Sequence, residues 1–227
     1  MSNFTKTGKK IIAIGRNYVE HAKELGNAVP SKPFFFLKPT TSYLESGNNI
    51  EIPKDSVVHH EVELGVVIGK NGRNIPESEA MSYVEGYCLA LDMTARNLQD
   101  EAKKKGHPWS ISKGFDTFTP VSKFIPKDLI RDPNDVTLWL KVNQIMTQNG
   151  STSDMLFKIP TLINFVSSIM KLEEGDVILT GTPKGVGPIF PGQVVKGGLK
   201  LNNHADNIVE FEFGVVEKSN GLFGKKI

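Results

Sequence analysis

Short apolar blocks recur along the chain, each closed by Gly, Pro, Asn or Asp, a rhythm of strands and turns rather than long helices. Ile11-Ile12-Ala13-Ile14, ended by Gly15, predicts a buried strand. Pro33 and Pro39 bound a second, whose Phe34, Phe35 and Phe36 are expected in the core. His59 to Ile68 predicts a third, rich in β-branched residues and stopped by Gly69-Lys70-Asn71-Gly72. Tyr87 to Leu91 is apolar on both faces and stops at Asp92. Val136, Leu138, Leu140 and Val142 alternate along a further strand, with a hairpin expected through Asn143-Gln144. A strand near Ile50-Glu51-Ile52, another from Val177 to Thr180, and short strands running to a Lys-ended tail at Ile227 complete the pattern.

Four helical stretches interrupt it. Val19 to Leu25 is stopped by Gly26-Asn27, and a second helix lies around Pro76 to Tyr83. Thr94 to Lys103 has good helix formers, with Thr94 as N-cap and Gly106 as stop. Ile159 to Met170 is amphipathic, with Pro160 near its start. Residues 108–116 read as a strand or extended loop. The mixture indicates an α+β, strand-rich fold, and 227 residues with 39% hydrophobic content suit one domain over 1–227.

Charge and cysteine usage narrow the function classes. The 27 basic and 25 acidic side chains are spread throughout, so there is no electrostatic footprint for nucleic acid, and Lys103-Lys104-Lys105 is a solvated helix end. A single cysteine excludes an intramolecular disulfide and fits a reducing compartment. No apolar run approaches the ~20 residues of a membrane span. Met1 to Lys10 is basic but short and without Arg, a poor match to a transit peptide.

Candidate chemistry begins in the third strand. Side chains alternate, so Glu61 and Glu63 share one face with Cα atoms roughly 7 Å apart, while Val62, Leu64, Val66 and Ile68 take the other. Alone, Glu-x-Glu reads as a wet strand end. Asp92 changes that, because a strand buried on both sides cannot end in an unpaired carboxylate without a large desolvation cost. It needs a cationic partner or a mouth open to solvent. Three carboxylates from two strands, with no Cys or His at ligand spacing, suit a hard divalent ion such as Mg²⁺ or Mn²⁺. Zinc is disfavoured, since Leu64 stands where a His-Glu-x-x-His motif needs its second His. Removing any one of the three charges is expected to relieve repulsion in the metal-free protein.

Elsewhere spacing alone leaves alternatives. His21 and Glu24 are neighbours on one helix face, which by itself is a surface pair. Arg96 and Gln99 face the metal, or Arg96 pairs with Asp100. Lys113, before Gly114, reads by itself as a surface residue. The Gly181 to Pro188 loop has neither the Gly-Lys-Ser/Thr ending of a phosphate loop nor a Gly-x-Gly-x-x-Gly fingerprint.

Taken in order, His59-His60-Glu61-Val62-Glu63-Leu64-Gly65-Val66-Val67-Ile68-Gly69, Gly86-Tyr87 and Leu91-Asp92-Met93-Thr94-Ala95-Arg96 resemble the fumarylacetoacetate hydrolase family. The likeness is to its short, single-domain acylpyruvase and oxaloacetate decarboxylase branch, and runs from about residue 10 to about residue 215. Gly15-Arg16-Asn17-Tyr18 with His21 and Glu24 resembles the family's dyad segment. Lys113-Gly114-Phe115-Asp116 resembles its active-site lysine, and Thr180-Gly181-Thr182-Pro183 its substrate loop.

That resemblance implies a rolled mixed β-structure, usually a homodimer, with residues 17–31 forming a lid over bound ligand. It implies Glu61, Glu63 and Asp92 as ligands of Mg²⁺ or Mn²⁺, the ion serving as Lewis acid toward a small 2-oxo acid. His21, oriented by Glu24, becomes general base and Lys113 supports an enolate or oxyanion, while Arg16, Arg96, Gln99 and Thr182 position the acid. Larger members bring a further aspartate ligand from before the dyad; here that stretch is Ile11-Ile12-Ala13-Ile14, so three carboxylates plus water are expected. The implied activities are acylpyruvate hydrolysis and oxaloacetate decarboxylation. Alternatives are oxaloacetate keto–enol tautomerisation, hydratase or isomerase action on 2-oxo-dienoates, and non-catalytic 2-oxo-acid binding. The branch implies a mitochondrial protein, with the cytoplasm as the alternative and no nucleic-acid or membrane partner.

Overall fold

A computed structural model describes residues 3–202, 204 and 206–219, so the tail expected at Ile227 lies outside the described residues. Among these the apolar blocks form sheets of eight, five and three strands. The eight-stranded sheet is mixed. It runs Phe35–Lys38, Ile11–Ile14, Val177–Leu179, Val62–Ile68, Val84–Leu91, Thr119–Val121 and Tyr43–Glu45, with Ile125–Pro126 also on Val84–Leu91. Ile11–Ile14 is parallel to Val177–Leu179, and Tyr43–Glu45 to Thr119–Val121. The five-stranded sheet runs Ile145–Ser151, Val136–Val142, Val194–Leu201, Asn207–Glu217 and Asn49–Ile52. Asn143 and Gln144, at φ 47° and 71°, make the tight turn between its first two strands, as expected from sequence.

Val62–Ile68 is buried at every position because apolar material covers both faces. Leu64, Val66 and Ile68 join Leu138, Leu140 and Phe211 of the five-stranded sheet in the larger core cluster. Val67 points the other way, into a smaller cluster with Ile11, Ala13, Cys88 and Val177. Glu61 and Glu63 share the parity of Val67, so they stand at the end of that second layer. Asp176 shows how the fold treats a purely structural carboxylate. Fully buried, it accepts from the backbone N–H groups of Lys9, Lys10 and Glu173 and pairs with Lys10 Nζ at 2.5 Å.

Several expectations are corrected. The strand from His59 to Ile68 is two: Val58–His60 pairs with Gly187–Ile189 and Thr94–Ala95 in the three-stranded sheet, and the chain changes sheets at Glu61. Thr94 therefore belongs to a strand and is no N-cap; the helix is Arg96–Lys105, ended by Gly106 at φ 67°. Residues 108–116 are neither strand nor extended, because Ser110–Lys113 closes one helical turn in which the Lys113 N–H donates to the Trp109 carbonyl. The late strands are long: Val194–Leu201 and Asn207–Glu217. Phe34, Phe35 and Phe36 are half-buried on an edge strand, and the residue of that strand sealed inside is Lys38.

Gly65 sits between Cys88 and Leu179 on the two neighbouring strands. A Cβ there would lie 2.5 Å from Cys88 Sγ and 3.3 Å from Val177 Cγ1. Gly65→Ala is expected to lower stability to urea by about 1–3 kcal/mol through overpacking. Adding Cys88→Ala should recover most of that loss, and purely additive effects in the double-mutant cycle would refute the packing account.

Candidate active site

Strand register brings the carboxylates together. Val62 pairs with Leu91 and Glu63 with Ala90, and the Asp92 N–H donates to the Glu61 carbonyl at 2.8 Å. Glu61 and Asp92 thus face each other across neighbouring strands, with Glu63 one pleat further along the same face. All three are buried, and one oxygen from each lies within 4.8 Å of the others.

Three cations press on this wall. Lys113 Nζ is 2.5 Å from Asp92 Oδ2 and 3.1 Å from Glu61 Oε2. Lys38 Nζ is 2.6 Å from Asp92 Oδ1 and also donates to the carbonyls of Met93 and Phe118. Arg96 binds Glu61 Oε1 through one nitrogen and Gln99 Oε1 at 2.6 Å through another, so its partner is Glu61 rather than Asp100. Burial opposes every charge here, and the balance differs by residue. Glu61 is driven far below the carboxylate range as Lys113, Arg96 and His21 outweigh desolvation. For Lys113 burial works downward, but Asp92 and Glu61 carry the ammonium above the ordinary lysine range.

Glu63 is different. Among the described residues no cation lies within 4.0 Å of it, and its carboxylate accepts from the Gly181 N–H at 2.7 Å. Burial, then Asp92 and Glu61, push its pKa well above the carboxylate range. An all-oxygen donor set with one buried carboxylate left uncompensated fits a hard divalent cation. The expected relief of repulsion applies to Glu63 alone, since removing Glu61 or Asp92 would strand buried cations.

Across the pocket stands the helix Val19–Glu24. Its base is pinned: Asn17, fully buried, donates to the carbonyls of Phe157 and Thr180 and accepts from the Phe157 N–H. His21 is buried, and burial lowers its pKa despite Glu61 and Glu24. Its Nδ1 lies 3.6 Å from Glu24 Oε2, too far for a hydrogen bond; the Glu24 carboxylate instead accepts from the Gly185 N–H at 3.0 and 3.1 Å.

Arg16, Arg96, Gln99, Lys113 and Thr182 line the same pocket as His21 and the carboxylates; Glu24 does not line it. Arg16 has no ion-pair partner among the described residues, and its guanidinium lies 5.5 Å from the Phe34 ring centre. Thr182 Oγ1 donates to the Val62 carbonyl and receives Gln148 Nε2, so its hydroxyl hydrogen is not directed at a ligand.

Sequence reasoning missed Lys38 and Gln148. A lysine beside an apolar Phe-Phe-Phe-Leu run was a legible signal, because a buried ammonium needs an anion. Gln148 had none: its Oε1 receives the Val62 N–H and contacts His60 Nδ1, while its Nε2 holds Thr182 and the Pro183 carbonyl, contacts made only when separate sheets meet.

The comparisons agree with this arrangement. A family profile described as fumarylacetoacetate (FAA) hydrolase C-terminal matches residues 10–219. The chain is 61% identical over 201 residues to a protein of Dictyostelium discoideum named oxaloacetate decarboxylase, mitochondrial, covering 88% of this chain and 92% of that one. It is 60% identical over 196 residues to oxaloacetate tautomerase FAHD1, mitochondrial, of Arabidopsis thaliana, covering 86% and 87%. A crystal structure titled putative fumarylacetoacetate isomerase/hydrolase from Oleispira antarctica superposes with a TM-score of 0.88 at 39% identity, over 93% of this chain and 95% of that one. Matched over nearly all its length in both sequence and backbone, the chain belongs to the fumarylacetoacetate hydrolase family.

Proposed function

We propose that the protein is a divalent-metal-dependent enzyme of small 2-oxo acids, hydrolysing acylpyruvates and decarboxylating oxaloacetate, with oxaloacetate tautomerisation as a third outcome of the same proton chemistry. The observation that carries this reading is a wall of three buried carboxylates lining one pocket with a buried histidine. The names of close relatives support it.

Glu61, Glu63 and Asp92 would hold Mg²⁺ or Mn²⁺. When bound, the ion supplies Lewis-acid polarisation of the 2-oxo group. Arg16, the pocket cation left unpaired, receives a substrate carboxylate. Arg96 and Gln99 hold Glu61 in place, Lys113 offers fixed positive charge to the developing enolate, and Thr182 shapes the loop that presents the Gly181 N–H. His21 takes a proton from water, whose oxygen adds to the distal carbonyl of an acylpyruvate. The C3–C4 bond breaks, the acyl group leaves as a carboxylic acid, and C3 is protonated to give pyruvate. With oxaloacetate the same bond breaks, CO₂ leaves and C3 takes the proton. Moving a proton between C3 and the 2-oxygen alone interconverts keto and enol.

Residues 17–31 act as a lid hinged at the buried Asn17, with Glu24, beside His21, latching to the Gly185 N–H. By likeness to the family branch the protein is a homodimer in mitochondria; light scattering and organelle fractionation check those assignments.

The deciding experiment compares rates on one His21→Ala preparation, corrected for metal-catalysed background. Acetylpyruvate cleavage is expected to fall about 10²–10⁴-fold, tautomerisation to follow it, and decarboxylation to fall less. Intact acetylpyruvate cleavage would remove His21 from the mechanism, and absence of all three rates in the unmodified protein would favour a binding protein. Because burial holds His21 below the ordinary value of 6.5, the acid limb of the wild-type rate should lie below that pH.

Metal assignment is tested without turnover. Glu63→Gln and Asp92→Ala should each abolish Mn²⁺ binding measured by electron paramagnetic resonance. In metal-free protein, Glu63→Gln is expected to leave stability unchanged or raise it. Asp92→Ala, which strands Lys38 and Lys113, should cost about 3–5 kcal/mol.

For the lid, Glu24→Gln keeps an acceptor for Gly185, whereas Glu24→Ala does not. Hydrogen exchange over residues 19–25 should stay slow in the first and quicken in the second; identical exchange in both would rule out the latch.

A further inference from the structure

Gln148 is the one buried position in Ile145–Ser151, a strand otherwise exposed or half-buried. The pairing shifts just before it. Leu140 stands opposite Gln148 but Lys141 opposite Met146, so Thr147 is an extra residue, a bulge of the kind that re-aims a side chain. The amide turned inward has every bonding position filled. Its Oε1 accepts from the Val62 N–H at 3.0 Å and from His60 Nδ1 at 2.9 Å, while Nε2 donates to Thr182 Oγ1 and the Pro183 carbonyl, both at 2.8 Å. The Val62 N–H can only donate and the Pro183 carbonyl only accept, so the amide has a single orientation. Thr182 Oγ1 in turn donates to the Val62 carbonyl at 2.8 Å. Gln148 thus grips the peptide groups on both sides of Val62, one directly and one through Thr182, and these are the peptides that join Glu61 to Glu63. Its other hold is on the loop that aims the Gly181 N–H at Glu63. That loop lies hard against the bulge: a Cβ on Gly185, at φ 97°, would come within 2.0 Å of the Thr147 carbonyl.

We propose that Gln148 is a positioning residue of the carboxylate wall: it fixes the spacing of Glu61 and Glu63 and the aim of the Gly181 N–H, and through them the affinity of the site for a divalent cation. The inference rests on the functional reading above and deepens it. It gives the five-stranded sheet, none of whose residues lines the pocket, a part in cation binding. Leucine at 148 would fill nearly the same volume, but it would leave the Val62 N–H and the Pro183 carbonyl without partners and free Thr182 to turn. The wall would keep its three carboxylates and lose the constraint that sets them for one ion.

The experiment titrates Mn²⁺ into substrate-free protein and reads the free ion by electron paramagnetic resonance, with circular dichroism confirming that each variant is folded. Gln148→Leu should raise the Mn²⁺ dissociation constant about 10–100-fold, the usual cost of losing a group that orients metal ligands. Thr182→Val, which removes the hydroxyl linking Gln148 to the Val62 carbonyl, should weaken binding about tenfold, whereas Thr182→Ser, which keeps the hydroxyl, should stay within about twofold of wild type. Ser167→Ala is the control for stability alone. Ser167 Oγ is buried and likewise accepts a backbone N–H, that of Ile75 at 2.9 Å, but on the helix Ile159–Ile169 outside the pocket. Its Mn²⁺ affinity should match wild type. Unchanged affinity in Gln148→Leu overturns the proposal, as does an equal loss in Ser167→Ala, which would signify general loosening. If Gln148→Leu does not fold, the threonine pair decides: wild-type affinity in Thr182→Val overturns it. Absence of Mn²⁺ binding in the wild type would instead overturn the functional reading, and this inference with it.

Discussion

The site is organised by the contact between Asp92 and two buried lysines. Lys38 takes one carboxylate oxygen and Lys113 the other, at 2.6 and 2.5 Å, where little water reaches. A lone charge in that position would be prohibitively costly, so each of the three groups depends on the others remaining ionised. The consequence reaches far along the chain. Lys38 ties the edge strand Phe35–Lys38 to the carbonyls of Met93 and Phe118, and Lys113 ties the helical turn Ser110–Lys113 to the strand end at Glu61.

Against that balanced set Glu63 is the exception. Its two neighbours are neutralised by lysine and arginine, yet it faces them with a backbone N–H as the contact shown and is forced toward its protonated form. The fold contains a counter-example in Asp176, equally buried and given backbone donors and a lysine. A carboxylate meant only for structure is satisfied by the chain itself. Glu63 is not, and a cation supplied from outside is the economical completion.

His21, the proposed base, is held differently. Charge fixes the carboxylates, whereas backbone hydrogen bonds fix Asn17 and leave the helix beyond it attached through Glu24 and Gly185. The carboxylate wall and the proposed lid thus rest on unlike interactions. That suits the proposed roles, a metal site that must stay in place beside a base that must admit substrate.

Much of this was legible in the order of residues. Alternation across a strand put Glu61 and Glu63 on one face, and the desolvation cost of ending a buried strand at Asp92 demanded a cation or an opening to solvent. Gly106, Asn143-Gln144 and Pro160 marked their helix end, turn and helix start because backbone geometry there is a local property. Three things were decided only in three dimensions. Which cations serve Asp92 depended on packing an edge strand and a helical turn, distant in sequence, against one strand end. The three phenylalanines before Lys38 looked like core, but they stand at a sheet edge with only partial cover, and the residue sealed inside is the lysine. The run through Glu61 looked continuous, yet the chain changes sheets there, because one half pairs with Gly187–Ile189 and Thr94–Ala95 and the other with Val84–Leu91. Local sequence determines which face a side chain takes and where an element stops; the partner across the gap is set by long-range pairing, which no single stretch encodes.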